Sequence, residues 1–411
     1  MISQKIGVLP YLLKTSPVYL AVFLMRFSFA FTVVALQYIA PIAAERGVIS
    51  SAYPIMEMVT GLMFGLLADR VGRKWIVVGG LLISSIVTLS FTFTTNFFLL
   101  VLIHGIQGVC AGAIVTCTLA SLTDVAKVES RGREMGFYDF CTLGGYGLGF
   151  VIALLLIAGN ASKAHLPFYF GAAIALLGGL ASFVFLKDEM SSSSKRVSLK
   201  GNVKKIFKNK KSLTLIATWF VLMILIGVVL TFTREIFATL SNGAHHRGLL
   251  PSALPALPRG LDVLLVVAVI FGLMLLGFSQ TTLGGLSDRF GREKLVMIGQ
   301  VSILGLLIVL VALFAFNLNR FIAAPFFILF GLGLLAFTPA GLAELADIAP
   351  DTGRGSTMGL YSLTVGAGTV FAPLAGGSLI SAYGTGIGLA SLFSIGIMIM
   401  LGVLVVKLIR I

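Results

Sequence analysis

A chain of 411 residues in which 58% are apolar and only 11% charged cannot cover a globule with polar surface, which excludes a soluble protein of ordinary composition. Its formal charge of +14 would suit nucleic acid, but the cations are confined to particular loops, and no nucleic-acid partner is expected. The sequence spells no nucleophile–base pair, metal cluster or phosphate-binding loop, so neither an enzyme nor a nucleotide-driven pump is expected, and no cofactor.

Apolar runs long enough to cross a bilayer recur along the whole chain, and the lipid bilayer is its expected surrounding. The pattern predicts twelve helices, near 17–41, 49–69, 75–94, 97–125, 133–158, 165–187, 212–237, 261–287, 294–316, 321–347, 356–382 and 385–407. Helix is the default because backbone groups in lipid must satisfy one another within the segment. The first run is too long for the core of a signal peptide and contains Arg26, so it is read as a spanning helix. The great majority of the 30 Lys and Arg residues fall on one face. Positive residues collect on the cytoplasmic side, which puts both termini there and the protein in the plasma membrane.

In chain order, the first candidates are charges at depth. Arg26 lies about ten residues into the first helix, hence about 15 Å in. Glu57 lies about 18 Å from the end of the second helix, at a comparable level. Such a pair lowers the cost of burying both, and is read either as structure or as a site where Arg26 attracts an anionic group or drives a proton from Glu57.

The second helix ends in Gly65-Leu-Leu-Ala-Asp69-Arg70-Val-Gly72-Arg73-Lys74. Gly65 allows close helix approach, and Gly72 allows a tight turn. Asp69 opposes the dipole of its own helix, so it needs an outside cation or a helix N-terminus. Arg73 and Lys74 hold the loop at the surface. This knot returns as Gly284-Gly-Leu-Ser-Asp288-Arg289-Phe-Gly291-Arg292. A second pair of segments repeats too: Asp124, Arg131, Gly132 and Met135 are answered by Asp347, Arg354, Gly355 and Met358. Internal repetition of this kind means two related halves, 1–187 and 212–411, joined by a basic cytoplasmic linker, 188–211.

Between the knots, His104 and Gln107 sit in the fourth helix, and Asp139 lies six residues into the fifth. Asp139 suits either a proton carrier or a member of a cytoplasmic latch. Cys110, Cys117 and Cys141 lie in apolar segments without metal or disulfide spacing. The loop from Ser241 to Leu261 carries His245 and His246 with no third ligand nearby, so no metal is expected.

Gly65-x-Leu-Ala-Asp69-Arg70-x-Gly72-Arg73-Lys74 and its second copy resemble the loop signature of the major facilitator superfamily of secondary transporters. Asp124-x6-Arg131 and Asp347-x6-Arg354 are similar to the acidic pattern that many members carry at the ends of helices four and ten. The resemblance spans the whole chain. It implies an all-α membrane protein of twelve helices in two pseudosymmetric six-helix bundles, which rock about a midplane cavity. It implies that Gly65, Asp69, Arg70, Gly72, Arg73, Asp124 and Arg131, with Gly284, Asp288, Arg289, Gly291, Arg292, Asp347 and Arg354, latch the cytoplasmic side.

His104-Gly-Ile-Gln107-Gly108 resembles the Arg-x-x-Gln-Gly motif of proton-coupled members, with a titratable group in place of the arginine. Gly145-x-x-x-Gly149-Phe150 resembles the antiporter motif of helix five, but with Phe150 where that motif has proline. It keeps its packing or hinge value, as does Pro373 in helix eleven. The expected function is alternating-access transport of a small organic solute by a monomer, coupled to protons or another ion. Arg26, Glu57, His104, Gln107 and Asp139 are the candidate substrate and coupling residues, and Arg26 favours an anionic or carboxylate-bearing metabolite. Proton-driven drug efflux is the alternative. A uniporter or channel is the alternative from another class, and would need no buried carboxylates.

Overall fold

The computed structural model describes residues 2–40, 42–125, 131–157, 161–187, 209–241, 282–283, 285–287, 289–352 and 354–409. Among them the chain is helical, with no strand. The helices are α1 (Ile2–Ile39), α2 (Ala43–Val71), α3 (Arg73–Ser90), α4 (Phe97–Val125), α5 (Arg131–Ile157) and α6 (Leu166–Phe185). The second half supplies α7 (Lys210–Ser241), α8 (Arg292–Ala315), α9 (Arg320–Leu335), α10 (Phe337–Thr352) and α11 (Arg354–Leu408).

Eleven of the twelve predicted spans are present. The predicted tenth is split at Ala336 into α9 and α10, and the eleventh and twelfth run together as α11. The break within α11 is Gly384, whose φ of 78° suits a residue without a side chain. Most of the eighth span, the linker to residue 208, and His245–His246 lie outside the described residues. Nine stretches among the described residues are long and apolar enough to cross a membrane.

Local signals account for several helix starts. Gly72 and Gly291, the glycines of the two knots, both cap the helix that follows, with φ of 89° and 95°. The same left-handed turn is therefore built twice by the same residue. Asn319 caps α9 by accepting from the Phe321 amide at 2.9 Å. Asn96 does the same ahead of α4, accepting from Phe98 and Leu99.

In the first half, α1 packs on α5 and α6, α2 on α4, and α3 on α4 and α6. In the second, α7 packs on α11, and α8 on α9, α10 and α11. The halves meet where α2 packs on α11 and where α5 packs on α10. Direction follows from the chain: Gly72 and Gly291 mark a knot end of the bundle, and the start of α2 marks the opposite end. Glycine sets the approach of α2 to α11. A Cβ at Gly47 would stand 2.4 Å from the Pro373 carbonyl oxygen, and one at Gly377 would stand 2.7 Å from that of Ala43.

Candidate substrate and coupling site

Arg26 is the centre of a buried polar cluster in the first half, with 8% of its surface exposed. Its Nη2 donates to Glu57 Oε1 at 2.9 Å, and its Nη1 donates to the hydroxyls of Tyr53 at 3.0 Å and Tyr146 at 2.9 Å. The guanidinium carbon also lies 5.2 Å from the centre of the Tyr146 ring. The pair that the depths of Arg26 and Glu57 suggested is thus formed. The two tyrosines were not foreseen, although Tyr53 precedes Glu57 by one helical turn on the same face.

Helix contacts explain why these groups converge. A Cβ at Gly145 would stand 2.6 Å from the Phe23 carbonyl oxygen and 3.1 Å from Arg26 Cβ, and one at Gly149 would stand 2.5 Å from the Phe27 carbonyl oxygen. The Gly145–Gly149 motif therefore lets α5 lie directly on α1, which carries the neighbouring Tyr146 to Arg26. Gly108 does the same between α4 and α2, where a Cβ would stand 2.2 Å from the Tyr53 carbonyl oxygen.

That contact brings His104 beside Tyr53, with ring centres 5.4 Å apart. Phe29 stacks on His104 at 5.8 Å, and Phe91 meets it edge-on at 5.8 Å. Gln107 gives its amide hydrogens to Thr88 at 2.9 Å and Thr32 at 3.2 Å, leaving its oxygen 3.2 Å from His104 Nδ1. This assignment puts the ring proton on Nδ1. With 1% exposure and an aromatic wall, His104 is placed as a hydrogen-bonded part of the core that touches Tyr53, not Arg26.

Asp139 lies apart from Arg26. It stands seven residues before Tyr146 on α5, which places it on the same face about 10 Å nearer the knot end. Thr142 falls between them on that face. Asp139 Oδ2 and Thr142 Oγ1 are both buried and have no hydrogen-bond partner among the described residues. A broken polar stripe thus leads along α5 from Asp139 to the cluster.

The facing helices of the second half are apolar. Within α7, Thr218 receives a hydrogen bond from Gln300 at 2.9 Å, while Trp219 packs on Phe337. Phe220 and Phe371 pair at 5.8 Å beside a groove of about 630 Å³ between α2, α7 and α11, lined also by Ile55, Met58 and Val370. The three cysteines are buried and free, and no His, Cys, Asp and Glu cluster suited to a metal occurs among the described residues.

At the knot end Arg292 pairs with Asp347 and donates to the Ala343 carbonyl oxygen at 3.0 Å. Lys211 bridges Glu344 at 2.9 Å and Glu293 at 3.6 Å. These bonds join the second half to itself and to Lys211 at the end of the linker, and the described partner of Asp347 is the arginine of the second knot. Gly284 and Asp288 lie outside the described residues, and neither the packing of Gly65 nor the side chains of Asp69, Arg70, Asp124, Arg131 and Arg354 are described. Arg289 is exposed at the surface.

A family model for the Major Facilitator Superfamily matches residues 18–277 and 236–411. Multidrug resistance protein 2 of Bacillus subtilis is 25% identical over 339 residues, which is 82% of this chain and 80% of that protein. Quinolone resistance protein NorA of Staphylococcus aureus is 25% identical over 200 residues, 48% of either chain. The solved nucleoside transporter NupG superposes with a TM-score of 0.64 at 15% identity, covering 97% of this chain and 98% of that one.

Proposed function

The chain belongs to the major facilitator superfamily, and on that premise we propose that it exports amphiphilic organic compounds by alternating access, in exchange for protons. The observation that carries the substrate class is the set of three partners, Glu57, Tyr53 and Tyr146, that holds Arg26. A guanidinium at mid-depth costs at least ~2.5–3.5 kcal/mol on insertion scales, so it must be compensated. Glu57, Tyr53 and Tyr146 compensate it here, leaving a neutral cluster that offers hydrogen bonds and aromatic faces. An apolar groove between α2, α7 and α11 is lined by Met58, Phe220 and Phe371. Such walls suit a solute with a large apolar body and one polar handle. The two relatives named for drug resistance support the same reading and the outward direction.

The coupling reading rests on the stripe along α5. Asp139, Thr142, Tyr146 and the Arg26–Glu57 pair supply exchangeable protons or lone pairs in sequence, and a proton arriving at Glu57 would release Arg26. Both termini and the knots would face the cytoplasm, as the distribution of cations requires.

An anionic solute remains the second reading, because Arg26 Nε has no hydrogen-bond partner among the described residues and offers one further donor. The deciding experiment uses proteoliposomes with an imposed proton gradient, a lipophilic cationic dye and a small dicarboxylate. Gradient-driven movement of the dye alone supports export of amphiphiles. Movement of the dicarboxylate alone overturns it in favour of the anionic reading.

A further inference from the structure

In each half a cation pairs with a carboxylate inside the helices, and a proton would act differently on the two pairs. Glu344 on α10 is 6% exposed and accepts from Lys211 Nζ at 2.9 Å. Lys211, in the first turn of α7, also stands 3.6 Å from the exposed Glu293 at the start of α8. Its side chain is 37% exposed, against 10% for Arg26. A proton on Glu57 would leave Arg26 buried without its counter-charge, the costly way to break such a pair. A proton on Glu344 would leave Lys211 with Glu293 and with water. No buried charge is stranded.

The neutral carboxyl also finds a partner in place. Lys211 meets Glu344, and Trp219 meets Phe337 with ring centres 5.1 Å apart, so α7 and α10 run antiparallel. Seven residues before Trp219 is Ser212, and seven after Phe337 is Glu344, both two turns nearer the knot end on the same faces. Ser212 Oγ is fully buried and has no hydrogen-bond partner among the described residues. A hydroxyl at that level can accept from a protonated carboxyl or donate to an ionised one.

The surrounding charges leave room for one proton. Arg292 on α8 pairs with Asp347 on α10 and donates to the Ala343 carbonyl oxygen beside Glu344. Lys211 and Arg292 thus face Glu293, Glu344 and Asp347, one negative charge in excess. Lys210 and Lys294 are exposed. On α5, which packs on α10, Glu134 accepts from Tyr19 at 2.6 Å, and Asp139 lies further along the helix. That helix opens with Arg131 and Arg133, and α11 opens with Arg354.

We propose that Glu344 is a proton-carrying carboxylate of the second half, with Lys211 as its releasable counter-ion and Ser212 as the partner of its neutral form. One proton is taken up and given up there in each cycle. The carboxylate exchanges its bond to Lys211 for one to Ser212, and the ammonium keeps its own protons beside Glu293. The proposal rests on export in exchange for protons and assigns part of that exchange to the second half. Its first test needs no substrate.

Purified protein in lipid nanodiscs is taken from neutral to acidic pH while infrared difference spectra follow the protonated-carboxyl band. Glu344→Gln should remove a component of that band. Ser212→Ala should shift the same component, because the neutral acid loses its hydrogen-bond acceptor. A Glu344→Gln spectrum identical to that of the parent overturns the proposal. If Glu344→Gln fails to fold, Ser212→Ala decides, and an unshifted band overturns it.

The second test uses proteoliposomes, with accumulation of a lipophilic cationic dye measured against imposed proton gradients of increasing size. The number of protons exchanged per dye, read from the slope, should fall by one in Glu344→Gln. An unchanged slope overturns the proposal, as does accumulation driven by a sodium gradient and lost in that variant. A parent that accumulates no dye counts against the proposed function and leaves the infrared result to judge Glu344.

Discussion

Arg26 binds three partners from three positions in the chain, so its energetics depend on its neighbours as well as on its burial. Removing one member of a buried pair strands the other charge at a cost of about 3–5 kcal/mol, whereas removing both is far cheaper. Glu57→Gln should therefore lower the melting temperature of the purified protein more than the double variant Arg26→Met/Glu57→Gln does. A double variant less stable than Glu57→Gln would mean that Glu57 does not neutralise Arg26. Tyr146→Phe removes a hydrogen bond to a charged group, worth about 1.5–3 kcal/mol, and should melt lower than wild type while still reaching the membrane. The charges of this cluster were legible in the sequence because a charge in an apolar helix needs a compensating partner at that depth. Tyr53 and Tyr146 were not, since a tyrosine is an ordinary residue of an apolar helix until its hydroxyl is seen to have a partner. His104 was read from a motif whose arginine it replaces, and its aromatic surroundings come from Phe29, Tyr53 and Phe91, which only packing brings together.

Helix five shows what glycine spacing does for a whole element. Four of its glycines lie within two turns, and the surroundings of Gly144, Gly145 and Gly149 differ. At Gly144 the nearest atom to a new Cβ is the Phe140 ring at 3.7 Å, which is ordinary contact. At Gly145 and Gly149 it is backbone of α1 at 2.6 and 2.5 Å, which cannot give way unless the helices separate. Gly144→Ala should thus be neutral or stabilise by up to about 1 kcal/mol, as alanine does in a helix interior. Gly145→Ala and Gly149→Ala should each cost about 1–3 kcal/mol, the usual penalty of overpacking. Melting curves of the three variants check this; equal effects at all three positions would remove Gly145 and Gly149 from the α1–α5 contact. The same stripe of α5 carries Thr142, so Thr142→Val should preserve stability and reduce gradient-driven export while sparing downhill movement. Coupling that persists in full would exclude Thr142 from the proton path. Element boundaries were legible where Gly72, Asn96, Gly291 and Asn319 cap helices. They were not where α7 breaks at Phe232, a site with neither proline nor glycine whose cause is tertiary; the break of the tenth span at Ala336 lies just before Pro339, which cannot donate to the helical ladder.

At the scale of the whole molecule, repetition in the sequence becomes two packed groups of helices among the described residues, and the two ends of their seam carry different chemistry. One end has the knots, whose turns at Gly72 and Gly291 are alike and whose second copy ties Arg292 to Asp347. The opposite end has the Arg46–Glu235 pair. The knots could be read from sequence because their residues are contiguous. The pair could not, since Arg46 and Glu235 are far apart in the chain and each alone looks like a helix-end charge. If both ends are locks on one two-state equilibrium, weakening them must act in opposite directions. Asp69→Asn should favour the state open at the knot end and largely abolish export while leaving membrane insertion intact. Glu235→Gln should favour the state open at the other end. Loss of about 1–3 kcal/mol from either lock shifts the ratio of states by about 5–150-fold. The double variant Asp69→Asn/Glu235→Gln should then return the ratio towards that of the parent, because the two shifts subtract. Cysteine accessibility measured from both sides of the membrane reads all three variants. Single variants that open the same end, or a double variant more one-sided than either single, would mean that the two ends do not share one equilibrium.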